Sequence, residues 1–148
     1  MTTALLLSLS TLQPVPDCWL DSVERIESRS RAVWGDHGKA AGYFQFHYGT
    51  WEFCSKLRKE AGLPVYPYSD AMDHQRSREY AQSWLTYLRG YLTNKYDGRP
   101  AHLGEVWLAF NLGLNGFSEY NYNWMSVDGW RYRKAVDVMM MPVKIKSL

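Results

Sequence analysis

Three short segments of the sequence contain side chains that can transfer a proton or bind a polar substrate. Glu27 follows Ile26 near the end of a segment with helical spacing, Asp36 lies in a glycine-bounded turn, and Asn111 shortly precedes Gly113. Taken singly, these residues have ordinary structural explanations: a solvated glutamate, a turn aspartate, and a helix cap or core amide. Taken together, they indicate one site that combines two different carboxyl groups with a neutral amide.

This combination fits the chemistry of glycosidic bond cleavage. The reaction needs a carboxylic acid that is still protonated near neutral pH, and burial beside apolar groups raises a carboxyl pKa in this way. It also needs a second carboxylate, or another device, that stabilises or captures the positively charged sugar. Glu27, at the edge of an apolar stripe, fits the acid, and Asp36, among polar turn residues, fits the second role.

The elements that must position these residues are mostly helical. Apolar spacing predicts a first helix from Cys18 to about Arg29, with Asp17 as its N-cap and Glu27 near its end. The glycine-rich and aromatic stretch that follows predicts turns and a short strand at residues 43–46. Gly42 is expected to permit a close backbone approach.

The remainder of the chain predicts further helices joined by loops. A helix capped by Thr50 is expected first, then a long helix, a helix that ends near Gly113, a loop at 115–128 and a last helix. Their expected ranges are 51–61, 70–96, 100–113 and 130–140. The fold class is therefore α+β, mainly α, with a small β-hairpin region after the first helix.

The sequence divides into an N-terminal segment, residues 1–16, and one domain, residues 17–148. The segment contains an apolar run from Ala4 to Leu12 that is too short to span a bilayer and lacks the positive start of a signal peptide. It is either a weak export signal or an arm that packs on the domain, and we favour the second. No transmembrane segment is expected.

Composition limits the classes of function. With 46% hydrophobic and 22% charged residues among 148, the chain suits one globular domain, and its 16% aromatic content suits both a core and a sugar-stacking cleft. The net charge of +2 is far from the basic patch of a nucleic-acid-binding protein, so no nucleic acid partner is expected. It weakly favours an anionic polymer.

Cysteine and histidine usage argues against a metal site. There is no Cys-x-x-Cys, and the four histidines are not spaced as ligand pairs. Cys18 and Cys54 form a disulfide if the protein is exported, or are two buried free thiols. No cofactor is expected, because acid catalysis by carboxyl groups needs none.

The order of the motifs resembles that of the invertebrate-type lysozymes. Those enzymes carry a Glu-Ser pair, an Asp-x-Gly turn, a Gly-Tyr-Phe-Gln segment and a Trp-rich stretch ending in Cys. The matching residues here are Glu27-Ser28, Asp36 to Gly38, Gly42 to Gln45, and Cys54. The similarity covers about Cys18 to Cys54. Segment 109–113 is similar to the Ala-Tyr-Asn-x-Gly of lytic transglycosylases, with Phe110 in place of the Tyr.

The resemblance implies a lysozyme-like fold and a set of site residues. Glu27 is then the general acid and Asp36 the second carboxylate. Gln45 lies in the cleft beside the acid, Asn111 binds substrate, and Tyr43 and Phe46 are candidates for the cleft wall. The chain departs from the invertebrate-type enzymes in having only two cysteines and a shorter segment between Glu27 and Asp36.

The expected function is that of a muramidase, which hydrolyses the β-1,4 bonds between N-acetylmuramic acid and N-acetylglucosamine in peptidoglycan. Two alternatives remain open. A lytic transglycosylase would form an anhydro ring without needing Asp36, and a non-catalytic wall-binding module would need neither carboxyl group. A monomer is expected, either secreted or in the periplasm or cell wall, and a phage origin is compatible with the sequence.

Overall fold

The structure is a computed structural model that describes residues 7–146, except for the side chains of residues 143–146. This part of the chain is mostly helical. The helices are α1 (Asp17–Ser28), α2 (Tyr48–Glu60), α3 (His74–Lys95), α4 (Leu103–Ser118) and α5 (Gly129–Lys146). Three two-residue strands, β1 (Trp34–Gly35), β2 (Ala40–Ala41) and β3 (Phe46–His47), lie between α1 and α2. The mainly helical α+β class is thus confirmed.

The strands form one antiparallel sheet in the order β1-β2-β3. Trp34 faces Ala41 across the first pair, and Ala41 faces Phe46 across the second. The expected hairpin is therefore a small three-stranded sheet. The strand predicted at residues 43–46 is wrong for most of its length, because Gly42 and Gln45 both have positive φ and make a turn there.

Helix α1 ends where the site begins. Pro16, rather than Asp17, occupies its N-cap position, and Arg29 ends it in the left-handed conformation, with φ of 56°. Leu20 and Val23 face the core. The side-chain hydroxyl of Ser28 donates to the carbonyl oxygen of Tyr43 over 2.7 Å, which ties the end of α1 to the turn before β3.

The core is built on stacked aromatic rings between α2, α3 and the sheet. Trp51 stacks on Tyr80 with ring centroids 3.7 Å apart, and Phe46 packs edge-on against Trp51 at 5.3 Å. All three are essentially inaccessible to solvent. Burial of large aromatic side chains is a major stabilising contribution, so this cluster anchors β3 to the helices.

Several predicted helix bounds need correction. Helix α2 begins at Tyr48, so Thr50 lies inside its first turn, and α3 begins after the N-cap Asp73, preceded by a separate 3-10 turn at Tyr68–Met72. Gly113 interrupts the helical geometry of α4, with φ of 76° and ψ of 160°, but the chain resumes a helical course to Ser118. The last helix runs past its predicted end, to Lys146.

The described part of the N-terminal segment packs on α3. Leu12 lies over Gly90, where a Cβ would come within 2.6 Å of the Leu12 side chain. Gln82 of α3 donates to the carbonyl oxygen of Val15 over 2.8 Å. Residues 4–6 of the predicted apolar run lie outside the described residues.

The two cysteines are free thiols in the structure, Cys54 buried and Cys18 partly exposed. Burial raises the pKa of the Cys54 thiol to about 12. Among residues 7–146, no helix combines the length and the apolar character needed to cross a membrane.

Candidate active site

One cleft, of about 290 Å³, brings four of the predicted site residues together. The sheet region forms one side of it and the helices form the other. Its lining residues are Glu27, Asp36, Ala40, Gln45, His47, Phe110, Asn111 and Arg131. Both candidate carboxyl groups and both candidate polar substrate-binding residues therefore face the same space.

Glu27 lies in the last turn of α1 and is partly buried beside Trp107. The indole N–H of Trp107 donates to Glu27 Oε1 over 2.9 Å. Burial raises the pKa of Glu27 from 4.5 to about 7, and the Trp107 hydrogen bond and the positive charge of Lys134 only partly oppose this rise. Near neutral pH a substantial fraction of Glu27 is therefore protonated and able to donate a proton.

Ser28, the neighbour of Glu27, has a structural role. Its buried hydroxyl accepts from the backbone N–H of Arg31 over 3.1 Å, besides donating to Tyr43. These contacts fix the backbone where α1 turns toward β1. Ser28 thus ties the segment at Tyr43 to the end of the helix that carries Glu27.

Asp36 lies in the tight turn between β1 and β2 and lines the same cleft. It has a positive φ of 49° and is followed by His37 at 56°. Its side chain is half-exposed, and His47 Nε2 lies 3.3 Å from Asp36 Oδ2. In contrast to Glu27, this carboxyl group is in a polar, solvated environment beside a histidine of β3.

Gln45 connects the sheet region to the cleft. Its side-chain NH₂ donates to the carbonyl oxygens of Val33 and Gly42 over 3.0 and 2.9 Å. A Cβ at Gly35 would lie 2.0 Å from Gln45 Oε1, so any larger residue there would displace the Gln45 side chain. A Cβ at Gly42 would lie 1.7 Å from the carbonyl oxygen of Ala71, which is the close backbone approach expected at that position.

Asn111 and Arg131 form the helical side of the cleft. Arg131 Nε donates to Asn111 Oδ1 over 2.8 Å, which joins α5 to α4. The Asn111 amide NH₂ remains a donor at the cleft. Phe110, beside it, also lines the cleft and packs against Phe46 with ring centroids 5.8 Å apart.

The structure corrects the expectation that Tyr43 and Phe46 form the cleft wall. Phe46 is 1% exposed and belongs to the core, where it packs between Trp51 and Phe110. Tyr43 packs on the ring of His74 at 4.5 Å. Neither residue is among those that line the cleft.

Sequence reasoning missed four residues that line the cleft or act on Glu27: His47, Trp107, Arg131 and Lys134. Trp107 could have been found, because it precedes Asn111 by four residues and so shares a helix face with it. The other three come from β3 and α5, and no local pattern indicates that these elements meet Glu27.

An aromatic ledge adjoins the cleft and consists of Trp34, Tyr48 and Tyr68. The ring of Tyr68 packs edge-on against Trp34 and Tyr48, with centroids 6.3 and 5.4 Å apart. Trp34 and Tyr48 are 55% and 60% exposed. A recess lined by Tyr48 and Tyr68 shares His47 with the cleft, so the two surfaces are continuous.

Comparison with known proteins gives no assignment of this chain. It matches no protein-family model, and no curated protein and no solved structure is significantly similar to it. Within residues 7–146, no group of three or more His, Cys, Asp or Glu side chains is arranged to hold a metal ion.

Proposed function

We propose that this protein cleaves the glycan strands of peptidoglycan, with Glu27 as the general acid. The observation that carries the proposal is the pKa of Glu27, about 7, in an open polar cleft that also holds Asp36. Two carboxyl groups in different environments are what most enzymes that hydrolyse glycosidic bonds use. A lysozyme-like fold is part of this proposal.

The hydrogen bond from Trp107 determines how Glu27 donates its proton. Because the indole N–H occupies Oε1, the acidic proton resides on Oε2, the oxygen left for the substrate. The proton passes from Oε2 to the glycosidic oxygen as the bond to the anomeric carbon breaks. The same N–H then stabilises the carboxylate that remains.

Asp36 acts on the sugar from the other side of the cleft. Its solvated environment suits a carboxylate that stabilises the positive charge at the anomeric carbon or attacks that carbon. Water then completes hydrolysis. Asn111 supplies an amide donor for a substrate hydroxyl or acetamido oxygen.

The exposed rings of the aromatic ledge favour a polysaccharide as the substrate. Trp34 and Tyr48 present exposed rings next to the cleft, and sugar rings pack well on such apolar faces. Exposed clusters of large apolar side chains commonly mark binding surfaces. The ledge would hold sugar units beyond the one that is cleaved.

One observation favours the transglycosylase alternative. Asp36 is half-exposed and engaged by His47, so Glu27 is the only partly buried carboxyl group that lines the cleft in the described part of the chain. In that mechanism Glu27 acts first as acid and then as base, and a hydroxyl of the substrate closes the anhydro ring. The two reactions yield products that differ in mass by one water.

The test is the mass analysis of products from purified peptidoglycan treated with wild type, Glu27→Gln or Glu52→Gln. Glu52 is an exposed glutamate of α2 and serves as the matched control. We expect soluble muropeptides with wild type and the control, and none with Glu27→Gln. Ordinary reducing ends would support hydrolysis, and products lighter by one water would support the transglycosylase. Absence of products from all three proteins, or equal release by Glu27→Gln, would contradict the proposal.

A further inference from the structure

Arg131 brings a permanent positive charge to the cleft and is fixed there by two neutral groups. Its Nε donates to Asn111 Oδ1 over 2.8 Å, and its guanidinium carbon lies 4.4 Å from the ring centroid of Trp130. Neither neighbour neutralises the charge. These contacts orient the planar group without using its terminal nitrogens.

Some arginines of the described chain are paired with carboxylates and others, such as Arg58 and Arg89, are not, but Arg131 is the one arginine among the described residues that lines the cleft. Arg76 pairs with Asp70, Arg78 with Asp21, and Arg99 with Glu105. Within the described residues, Arg131 has no carboxylate at ion-pair distance, although two carboxyl groups line its cleft. An oriented arginine of this kind is suited to an anionic group that arrives with the substrate.

The other cleft groups leave this charge uncompensated. Asp36 lies on the sheet side, next to His47, and Glu27 is largely protonated below its pKa of about 7. Lys134, three residues after Arg131 on α5, adds positive potential that reaches Glu27. Below about pH 7, where Glu27 is mostly neutral, Arg131 is therefore the main charge on the helical side of the cleft, and Asp36 lies on the sheet side.

We propose that Arg131 binds a carboxylate of the substrate and so selects carboxylate-bearing glycan over neutral glycan such as chitin. The inference deepens the proposed function and rests on it. The terminal nitrogens of arginine present a fork that matches the two oxygens of a carboxylate. In peptidoglycan this carboxylate belongs either to the lactyl group of N-acetylmuramic acid or to the attached peptide.

Binding to the Glu27→Gln protein tests the inference, because this variant holds the saccharide without cleaving it. Four ligands are titrated calorimetrically. They are a peptide-free tetrasaccharide of alternating N-acetylglucosamine and N-acetylmuramic acid, its neutral form with amidated lactyl groups, the peptide-bearing tetrasaccharide, and chitotetraose. The four titrations are repeated with double mutants that carry Arg131→Gln, Arg131→Lys or Arg133→Gln in addition to Glu27→Gln.

Arg133 is an exposed arginine on the same helix, and its loss changes the net charge equally. We expect Arg131→Gln to reduce the preference for carboxylate-bearing over neutral ligand about 10- to 100-fold, as for one lost charge-assisted contact. Arg131→Lys keeps the charge but not the fork and should lose less. Arg133→Gln should leave the preference unchanged.

The four ligands also separate the two sources of the carboxylate. If the protein prefers the peptide-free tetrasaccharide to its amidated form, the carboxylate that Arg131 binds is that of the lactyl group. If it prefers only the peptide-bearing ligand, the carboxylate belongs to the peptide. Either result supports the inference. Equal binding of charged and neutral ligands, or a preference that survives Arg131→Gln, overturns the inference alone. Failure to bind any of the four overturns the proposed function as well.

Discussion

The indole N–H of Trp107 donates to Glu27 Oε1 over 2.9 Å and joins residues 80 positions apart in the sequence. This bond has two effects on the Glu27 carboxyl group. It lowers the pKa of Glu27 against the larger effect of burial, and by engaging Oε1 it leaves Oε2 to carry the proton of the neutral group. In the proposed mechanism, Trp107 therefore influences both the pKa of Glu27 and the oxygen from which the proton is donated.

Replacing Trp107 with Phe removes this donor. We expect the pKa of Glu27 to rise, so the loss of activity at alkaline pH should shift to higher pH while the maximal rate falls. Because Trp107 is 1% exposed, the cavity should also cost about 1–3 kcal/mol of stability. The measurements are the pH dependence of peptidoglycan cleavage and urea unfolding. The control is Trp84→Phe, which changes a partly buried tryptophan outside the cleft. If the pH profile of cleavage by Trp107→Phe is not shifted, the hydrogen bond from Trp107 does not lower the pKa of Glu27.

The raised pKa of Glu27 also predicts a pH-dependent stability difference. The folded state retains the Glu27 proton up to about pH 7, whereas the unfolded chain releases it near 4.5. The stabilising effect of the retained proton is therefore complete below pH 4.5 and is lost as the pH rises through about 7. Since each pKa unit is worth about 1.4 kcal/mol, the loss is at most about 3.5 kcal/mol.

Glu27→Gln does not undergo this loss, because glutamine stays neutral and still accepts from Trp107. In urea unfolding, its stability relative to wild type should increase by up to about 3 kcal/mol between pH 4 and pH 8. Glu52→Gln, at an exposed site, should show no comparable change. A Glu27→Gln difference that is the same at both pH values would mean that Glu27 has an ordinary pKa.

Asp36→Asn separates the two proposed reactions. The substitution keeps the size of the side chain and a hydrogen-bonding partner for His47 but removes the negative charge. If Asp36 stabilises or attacks the sugar, cleavage should fall about 100-fold or more. The rate of cleavage is measured from the release of reducing ends, and the products are identified by mass analysis. Activity within a few fold of wild type would remove Asp36 from the mechanism and favour the transglycosylase.

The contact between Gly35 and Gln45 predicts the outcome of a double mutant. Gly35 has an ordinary extended backbone, so Gly35→Ala should destabilise mainly through the collision of its Cβ with Gln45 Oε1, by about 1–3 kcal/mol. Adding Gln45→Ala removes the colliding atom. Thermal unfolding of both single mutants and the double mutant measures the coupling. Strict additivity would contradict the assigned contact.

Local patterns predicted the position of Glu27, because they concern one helix. The spacing that buries Val23 also places Glu27 in the last turn of α1, beside the core. The aromatic segment was harder to predict. Phe44 and Phe46 are both buried, as alternate residues of a strand with one face toward the core would be. However, Gly42 and Gln45 have positive φ and turn the chain where a strand was predicted.

Long-range contacts could not be predicted in the same way. Arg131 and His47 belong to elements that meet Glu27 only in the folded chain, and neither lies in a motif. Gly113 was predicted to end its helix, because glycine commonly ends helices. It interrupts the helical geometry of α4, but the helix resumes and continues to Ser118, with Phe117 buried in the core.

The most direct test of the central claim is to compare the carboxyl titration of Glu27 with the pH dependence of kcat/KM for peptidoglycan. Carbon-13 NMR of labelled glutamate, assigned by its loss in Glu27→Gln, gives the pKa, and kcat/KM reports the same group in the free enzyme. We expect Glu27 to titrate near 7, as the structure indicates, and cleavage to decline through the same pH. Lys134→Gln should raise both values together, and Lys134→Arg should leave them in place. A Glu27 that titrates near 4.5, or a rate profile that does not follow its titration, would contradict its assignment as the acid.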